Sequence, residues 1–374
     1  MVTLESNVEL YYKSPSPALW NSYSKCNHSK DTILQLALIN RTSGSQQGKE
    51  LIGWLQQLLG EERVFSISSE QQVRHVLEMN VCCSQWKILV CGGDGTCNLV
   101  VQVLQVCPLQ VCMIHIPIGT GNELARSLGW GGSCRSFMKL QQLVNYVELA
   151  NREAMDVWNI NVQTSHEESK KFRKPTCMIG FLSLGIDAQV ELCFNESRWK
   201  NPSGYQYTWL NIAKYGWYGL QTMWKWTQVA GIHEFVDSFE MDNYPLDIPA
   251  DIQSIILLNL PSYGAGAFPI KQSSNSPNQW KIFGNDRVLE VVGITSLFHF
   301  LSLELGMSAR KLGQGRSIFI RLKQSKLPLS VQVDGEPWSL RSGTIQITSS
   351  DKRQCFALGP SYQKHSSHFV QFAE

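Results

Sequence analysis

Along the first 150 residues the apolar positions come in short, nearly continuous runs, at 33–39, 64–67, 88–91 and 112–117. Runs of this kind predict strands buried on both faces, as in a parallel sheet covered by helices. Residues 51–59 and 99–104 repeat their apolar positions at helical spacing, and a further helix is predicted to follow Asn122. From Asp156 the character changes. Asp156-Val157-Trp158-Asn159-Ile160-Asn161-Val162 alternates, and strand-like segments at 178–187, 255–260, 288–294, 317–322, 329–334 and 344–348 predict a mostly antiparallel sandwich. The predicted fold class is an α/β domain followed by a β-sandwich, with the boundary near Met155. Residues 1–30 are polar without a clear period and read as a loosely held leader. Residues 165–174 read as a solvated hairpin loop.

The junction of the third run with its helix carries the most specific pattern. Gly92-Gly93-Asp94-Gly95-Thr96 has three glycines in five positions, which lets amide groups approach phosphate oxygens, and Thr96 is expected to open the helix. A carboxylate beside phosphate is repulsive unless a cation or water intervenes, so Asp94 implies Mg²⁺ together with a nucleotide. A second loop of the same kind, Ile118-Gly119-Thr120-Gly121-Asn122-Glu123, leaves the fourth run, with Asn122 a candidate helix cap. Both loops are expected at the carboxyl ends of parallel strands, where open α/β sheets bind ligands. Residues 44–49 approach a Walker A pattern but lack one residue before Gly48-Lys49 and carry Glu50 where Ser or Thr is needed.

Cys91-Gly92-Gly93-Asp94-Gly95-Thr96 and the segment from Pro117 through Gly119-Thr120-Gly121-Asn122 to Arg126 resemble the catalytic domain of diacylglycerol kinases, within the wider lipid-kinase family that includes ceramide and sphingosine kinases. Leu184-Gly185-Ile186-Asp187-Ala188, Asn259-Leu260-Pro261-Ser262-Tyr263-Gly264, Leu289-Glu290-Val291-Val292-Gly293 and Val333-Asp334-Gly335-Glu336-Pro337-Trp338 resemble further motifs of that family in family order. The resemblance implies an α/β ATP-binding domain over 31–155, a β-rich lipid-substrate domain over 156–345, and a segment, 346–374, that returns to the first domain. It implies Asp334 as the general base, with Asp94, Asp286 and Glu336 ordering Mg²⁺ through water. It further implies ATP contacts from Asn40, Ser43, Gly44, Gly92, Gly93, Gly95, Thr96, Gly119, Thr120, Gly121, Asn122, Glu123 and Arg126. Asp334 and Glu336 are two apart, so on an extended segment both would face one way, with Pro337 ending the run. Three positions depart from the family pattern: Arg41 stands where relatives place proline, Glu123 where they commonly have aspartate, and Gly180-Phe181 where they often carry asparagine.

Composition narrows the remaining choices. A formal net charge of +2 over 374 residues argues against nucleic-acid binding by counterion release. Eleven cysteines without a CxxC read as reduced, mostly buried thiols, and no Cys/His run has zinc-ligand spacing, so no C1-type zinc module is expected. No apolar run of eighteen residues is present, so membrane contact is expected to be peripheral and the protein cytoplasmic. The aromatic stretch 205–226 suits either a membrane interface or a packed helical hairpin, and the basic run Arg310, Lys311, Arg316, Arg321, Lys323, Lys326 suits either anionic lipid or a solvated sheet face. The function these features imply is phosphorylation of the free hydroxyl of diacylglycerol to phosphatidic acid. Ceramide or another lipid alcohol is the alternative substrate, and a catalytically weak lipid- or nucleotide-binding regulator the alternative class. NAD kinases share Gly-Gly-Asp-Gly-Thr, but the later motifs fit them poorly.

Overall fold

The computed structural model describes residues 35–43, 47–80, 86–108, 111–164, 175–200, 231–264, 266–270, 282–303, 305–325 and 327–362. The leader, Gly44, the 165–174 loop, the 205–226 aromatic stretch and Lys326 lie outside these residues.

The first half alternates strand and helix: β1 (Gln35–Ile39), α1 (Gln47–Leu59), β2 (Val64–Ser66), α2 (Glu70–Asn80), β3 (Lys87–Gly92), α3 (Asp94–Val106), β4 (Cys112–Pro117), α4 (Glu123–Ser127), α5 (Phe137–Tyr146) and β5 (Arg152–Met155). Strands β1, β3 and β4 are buried at every position, as expected where helices cover both faces of a sheet. β2, β1, β3 and β4 are parallel neighbours in that order. The chain moves outward from β1 to β2 and then returns to the other side of β1 as β3, so the loops after β1 and β3 part at a topological switch point. Helix α3 begins at Asp94, two residues before the expected start, with Gly93 in extended geometry as its N-cap.

The second half contains β6 (Trp158–Gln163), β7 (Cys177–Met178), β8 (Phe181–Gly185), α6 (Ile186–Lys200), β9 (Val236–Met241), β10 (Tyr244–Pro245), β11 (Ser254–Leu258), β12 (Leu289–Ile294), α7 (Leu297–Ser302), β13 (Arg310–Gly315), β14 (Ser317–Leu322), β15 (Leu329–Val333), β16 (Glu336–Leu340) and β17 (Gly343–Ser349). These strands form two antiparallel sheets, ordered β10-β9-β14-β17-β6-β7 and β13-β12-β11-β8-β15-β16, with one apolar core between them. Strands β8, β11, β12 and β15 are buried throughout, because α6 and α7 cover the outer face of their sheet, whereas β6 alternates buried with exposed positions at its start. After β17 the chain crosses back, and β18 (Gln354–Ala357) inserts into the first sheet between β4 and β5, parallel to the former and antiparallel to the latter.

Three details differ from the sequence expectation. The segment 178–187 is not one strand: β7 and β8 belong to different sheets, the chain changes sheet at Ile179-Gly180, and Ile186 and Asp187 already open α6 after Gly185 at φ 123°. Asp334 and Gly335 are not on an extended segment. With φ 48° and 81° they form the tight turn between β15 and β16, the two-residue hairpin for which Asp-Gly is suited. Pro337 does not end the run but sits inside β16, tolerated because β16 is the edge strand of its sheet.

Candidate functional site

The two glycine loops touch through their backbones. A Cβ on Gly119 would fall 2.5 Å from the Gly93 Cα, which excludes a side chain there, and a Cβ on Gly93 would fall 3.3 Å from the Gly119 Cα, a tight fit that needs a small shift. Asp94 ties the loops together. Its Oδ2 accepts from the Glu123 amide and its Oδ1 from the Leu124 amide, each at 3.0 Å, so a residue of the first loop caps the helix of the second. Asn122 occupies the N-cap position but its side chain does not cap. At φ 58° it braces the loop instead, donating to the Gly119 and Gly132 carbonyls and accepting from the Gly119 amide. With the first amides of α4 engaged by Asp94, the N-terminus left to meet an anion is that of α3, headed by the amides of Asp94 and Gly95.

The β1 loop is joined to this platform by Asn40, whose Nδ2 donates to Thr96 Oγ1 at 3.1 Å while its Oδ1 accepts from the Thr42 amide and hydroxyl. Gly92 lies directly under the Thr96 side chain, which leaves no room for a Cβ. Ser43 donates its amide to the Asn40 carbonyl, and Arg41 is exposed. Under the loop lies His115, which no sequence signal singled out. It occupies an inward position of β4 beside Val90, its Nε2 donates to the Gly92 carbonyl at 3.0 Å, and its Nδ1 stands 4.0 Å from Asp94 Oδ1. Burial pushes its pKa below the usual histidine value, against the pull of Asp94.

The second domain supplies Asp334. Because the chain changes sheet at 179–180, the amides of Ile179, Gly180 and Phe181 leave the ladders and turn to its carboxylate, at 2.9, 2.8 and 3.0 Å. Asn98 of α3 adds a fourth donor, Nδ2 to Asp334 Oδ2 at 2.7 Å, and links both domains through a further bond to the Cys177 carbonyl. Burial raises the Asp334 pKa to about 6, outweighing these four donors, which lower it. Asn259 holds the same turn from behind: Nδ2 donates to the Ile179 and Asp156 carbonyls, and Oδ1 accepts from Trp158 Nε1. Sequence reading assigned Asn98 no role, and only the fold shows that its position on α3 faces Asp334.

Asp94, Glu123, Leu124, Ile179, Gly180, Phe181 and Asp334 line one small cavity between the two domains. Glu336, just beyond the hairpin turn, sets its Oε1 against Gly95 at the head of α3. Arg126 donates from Nε to the Gly121 carbonyl and lays its guanidinium beside Gly132 and Gly266, the latter in the second domain. Thr120 and Gly121 are at the loop surface. Asp286 is not brought to this cavity. It lies in the turn before β12, where Oδ1 accepts from the Val288 amide, and its charge is felt with that of Asp156, which is held by Arg353 Nε at 2.7 Å. Among the described residues no three His, Cys, Asp or Glu side chains converge at metal-ligand spacing, and no helix is long and apolar enough to cross a membrane.

Residues 35–158 match the family described as the diacylglycerol kinase catalytic domain, and residues 177–337 match the diacylglycerol kinase accessory domain. Diacylglycerol kinase 1 of Arabidopsis thaliana is 30% identical over 350 residues, covering 89% of this chain and 46% of that protein. Diacylglycerol kinase theta of Rattus norvegicus is 29% identical over 331 residues, covering 84% of this chain and 34% of the relative. The chain thus spans less than half the length of these relatives. A crystal structure of a diacylglycerol kinase from Bacillus anthracis str. Sterne superposes with a TM-score of 0.51 at 14% identity, covering 89% of this chain and 99% of that one, which is a likeness of fold. With the catalytic and accessory domains both matched in order, the chain belongs to the diacylglycerol kinase family.

Proposed function

We propose that the chain transfers the γ-phosphoryl group of ATP to the free hydroxyl of diacylglycerol, giving phosphatidic acid, at the cavity between the two domains. The observation that carries this reading is the convergence of a glycine-built helix N-terminus with two carboxylates from different domains, the half-buried Asp94 and the buried Asp334, on one cavity. Phosphoryl transfer asks mainly for positioning and charge neutralisation, which this arrangement supplies. The amides heading α3 bind phosphate oxygens. The Gly93–Gly119 contact keeps side chains away from the nucleotide, and Asn40 with Thr96 fixes the edge of its pocket.

The donor set fits Mg²⁺ bound through water. Each Asp94 oxygen keeps one lone pair beyond its amide bond, and Glu336 presents carboxylate oxygen beside the same helix end, where bare phosphate would be repelled. Bound there, the ion would supply neutralisation of the transferring group's charge. Asp286, which does not line the cavity, is left out of this role.

Asp334 takes the proton of the acceptor hydroxyl. Its four acceptor positions are occupied by amides and Asn98, so accepting a proton requires one donor to yield. Asn98 is the one that belongs to a side chain able to turn, and its neighbour Gln102 donates to its Oδ1. A pKa of about 6 leaves Asp334 ionised at neutral pH and close enough to it for general-base work. The test is purified protein with labelled ATP, Mg²⁺ and a panel of lipid alcohols in mixed micelles. Labelled phosphatidic acid from diacylglycerol is expected. A product on ceramide alone would move the substrate, and ATP binding without any lipid product would overturn the reading in favour of a regulator.

A further inference from the structure

We propose that Cys355 and Cys112 form a hydroperoxide-sensitive thiol pair, a modification site independent of the kinase reading. The two strands that carry them place the residues side by side. Phe356 of β18 pairs in parallel with Met113 of β4, so one step back on each strand sets Cys355 beside Cys112. Directly opposed residues of a sheet project from the same face, and neighbouring strands lie about 4.8 Å apart, inside the Cα separation that a disulfide accepts. Both are free thiols in the structure.

The surroundings divide the roles. Cys112 is buried, whereas Cys355 is half-buried and lines an open cavity of about 540 Å³ together with Val111, Ala154, Arg287 and the 351–354 crossover. Lys87 is opposed to Cys112 on the other side, so Lys87, Cys112, Cys355 and Ala154 form one row across β3, β4, β18 and β5. The Cys112 S–H hydrogen-bonds to the Cys355 sulfur and holds its thiol down to about 7, with Arg152 and Lys87 adding to the effect, while the same bond and burial push Cys112 up. Cys355 is therefore the thiolate that meets an oxidant entering from the cavity, and Cys112 the resolving thiol behind it.

The chemistry balances in two steps. The Cys355 thiolate attacks the terminal oxygen of a hydroperoxide. The O–O bond breaks, sulfur is oxidised to sulfenic acid, and the peroxide is reduced to an alcohol, or to water when hydrogen peroxide is the oxidant, with one proton taken from solvent. The Cys112 sulfur then attacks the sulfenic sulfur, forming the S–S bond and releasing the hydroxyl with the Cys112 proton as water. The bond would lock the returning strand β18 to β4 at the amino-terminal end of the sheet, on the order of 17 Å along β4 from the glycine loops.

Reduced full-length chain treated with a small excess of hydrogen peroxide tests the pair, read by quantitative alkylation under denaturing conditions and non-reducing peptide mapping. The expected result is the loss of two thiols, a peptide linking 112 to 355 as the main cross-link, and full recovery with a thiol reductant. Cys355→Ser should abolish the cross-link, and Cys112→Ser should leave a sulfenic acid on Cys355 that a dimedone-type reagent traps about tenfold faster than any trapped at the half-buried Cys193. Should Cys112→Ser fold poorly, the wild-type cross-link decides alone. Oxidation that begins at Cys193, a cross-link to another cysteine, or Cys355 oxidised in the wild type without a bond to Cys112 would each overturn the proposal.

Discussion

At the scale of single residues, Asp94 carries two loads that sequence alone keeps apart. Its oxygens satisfy two amides of α4, so Asp94→Asn turns one acceptor into a donor facing an amide. A loss of ~1–2 kcal/mol in folding stability is expected, measured by denaturant titration, together with a fall in turnover of about a hundredfold at saturating Mg²⁺. Turnover within a few fold of wild type would remove Asp94 from the proposed site. Asp334 and Glu336 should separate by their metal dependence. Asp334→Asn is expected to abolish lipid phosphorylation while Mg²⁺-ATP affinity stays nearly constant, whereas Glu336→Gln should raise the Mg²⁺ requirement as it lowers turnover. Equal shifts in Mg²⁺ dependence would show that the two residues do not divide the work in this way.

Between elements, the contact of the β3–α3 and β4–α4 loops depends on two glycines that are not equivalent. Ala at 119 would drive its methyl to 2.5 Å from the Gly93 Cα and to 2.8 Å from Asn122 Oδ1, and neither is the end of a flexible chain free to move, since Asn122 is held by three bonds. Ala at 93 meets the Gly119 Cα at 3.3 Å, which a shift of a few tenths of an ångström relieves. Gly119→Ala should therefore cost ~2 kcal/mol or more and separate the loops, while Gly93→Ala should fold nearly as well as wild type yet bind ATP more weakly. Calorimetry of nucleotide binding beside thermal melts distinguishes the two. Equal melting temperatures for both variants would mean that the loops are not in contact in solution.

The whole molecule carries a pH dependence built from buried acids. Burial raises Glu290 to about 8 and Asp334 to about 6, both above their unfolded values. A raised carboxyl binds its proton more tightly when folded, so the stability it contributes is fully present below the unfolded pKa and is lost as pH rises through the folded one. For Asp334 that window runs from about 4 to 6, and for Glu290 from about 4.5 to 8. Glu290 is buried on β12, on the face of its sheet opposite to the one that packs against the second sheet, with Gln314 donating to one oxygen. Glu290→Gln should thus be more stable than wild type at pH 8.5 by ~1 kcal/mol or more, with the difference shrinking toward pH 5, as followed by denaturant midpoints across that range. A pH-independent difference would place the Glu290 carboxyl at an ordinary pKa.

What the sequence by itself determined is local in origin. Nearly continuous apolar runs follow from a sheet covered on both faces, alternation at residue 158 from the sandwich, and Gly92-Gly93-Asp94-Gly95-Thr96 from a backbone that must approach something closely. The Asp334-Gly335 dipeptide tolerates left-handed geometry at both residues, and the structure sets it in a hairpin turn where an extended segment was expected. Only the tertiary structure decided which partners the polar groups found. Nothing in the chain near Asp94 says that its oxygens cap a helix almost thirty residues away, and nothing near Asn98 says that it reaches an aspartate 236 positions on. His115 is hidden for the same reason, since an inward position on a fully buried strand reads as core until the register sets it beside the glycine loop. Asp286 shows the converse: an acid beside a strand in the expected order, which the packing of the β12 turn against Asp156 carries away from the cavity. Periodicity reports which face of an element is buried. What lies across that face is set by how the elements assemble, and in this chain the candidate site is built almost wholly across such contacts.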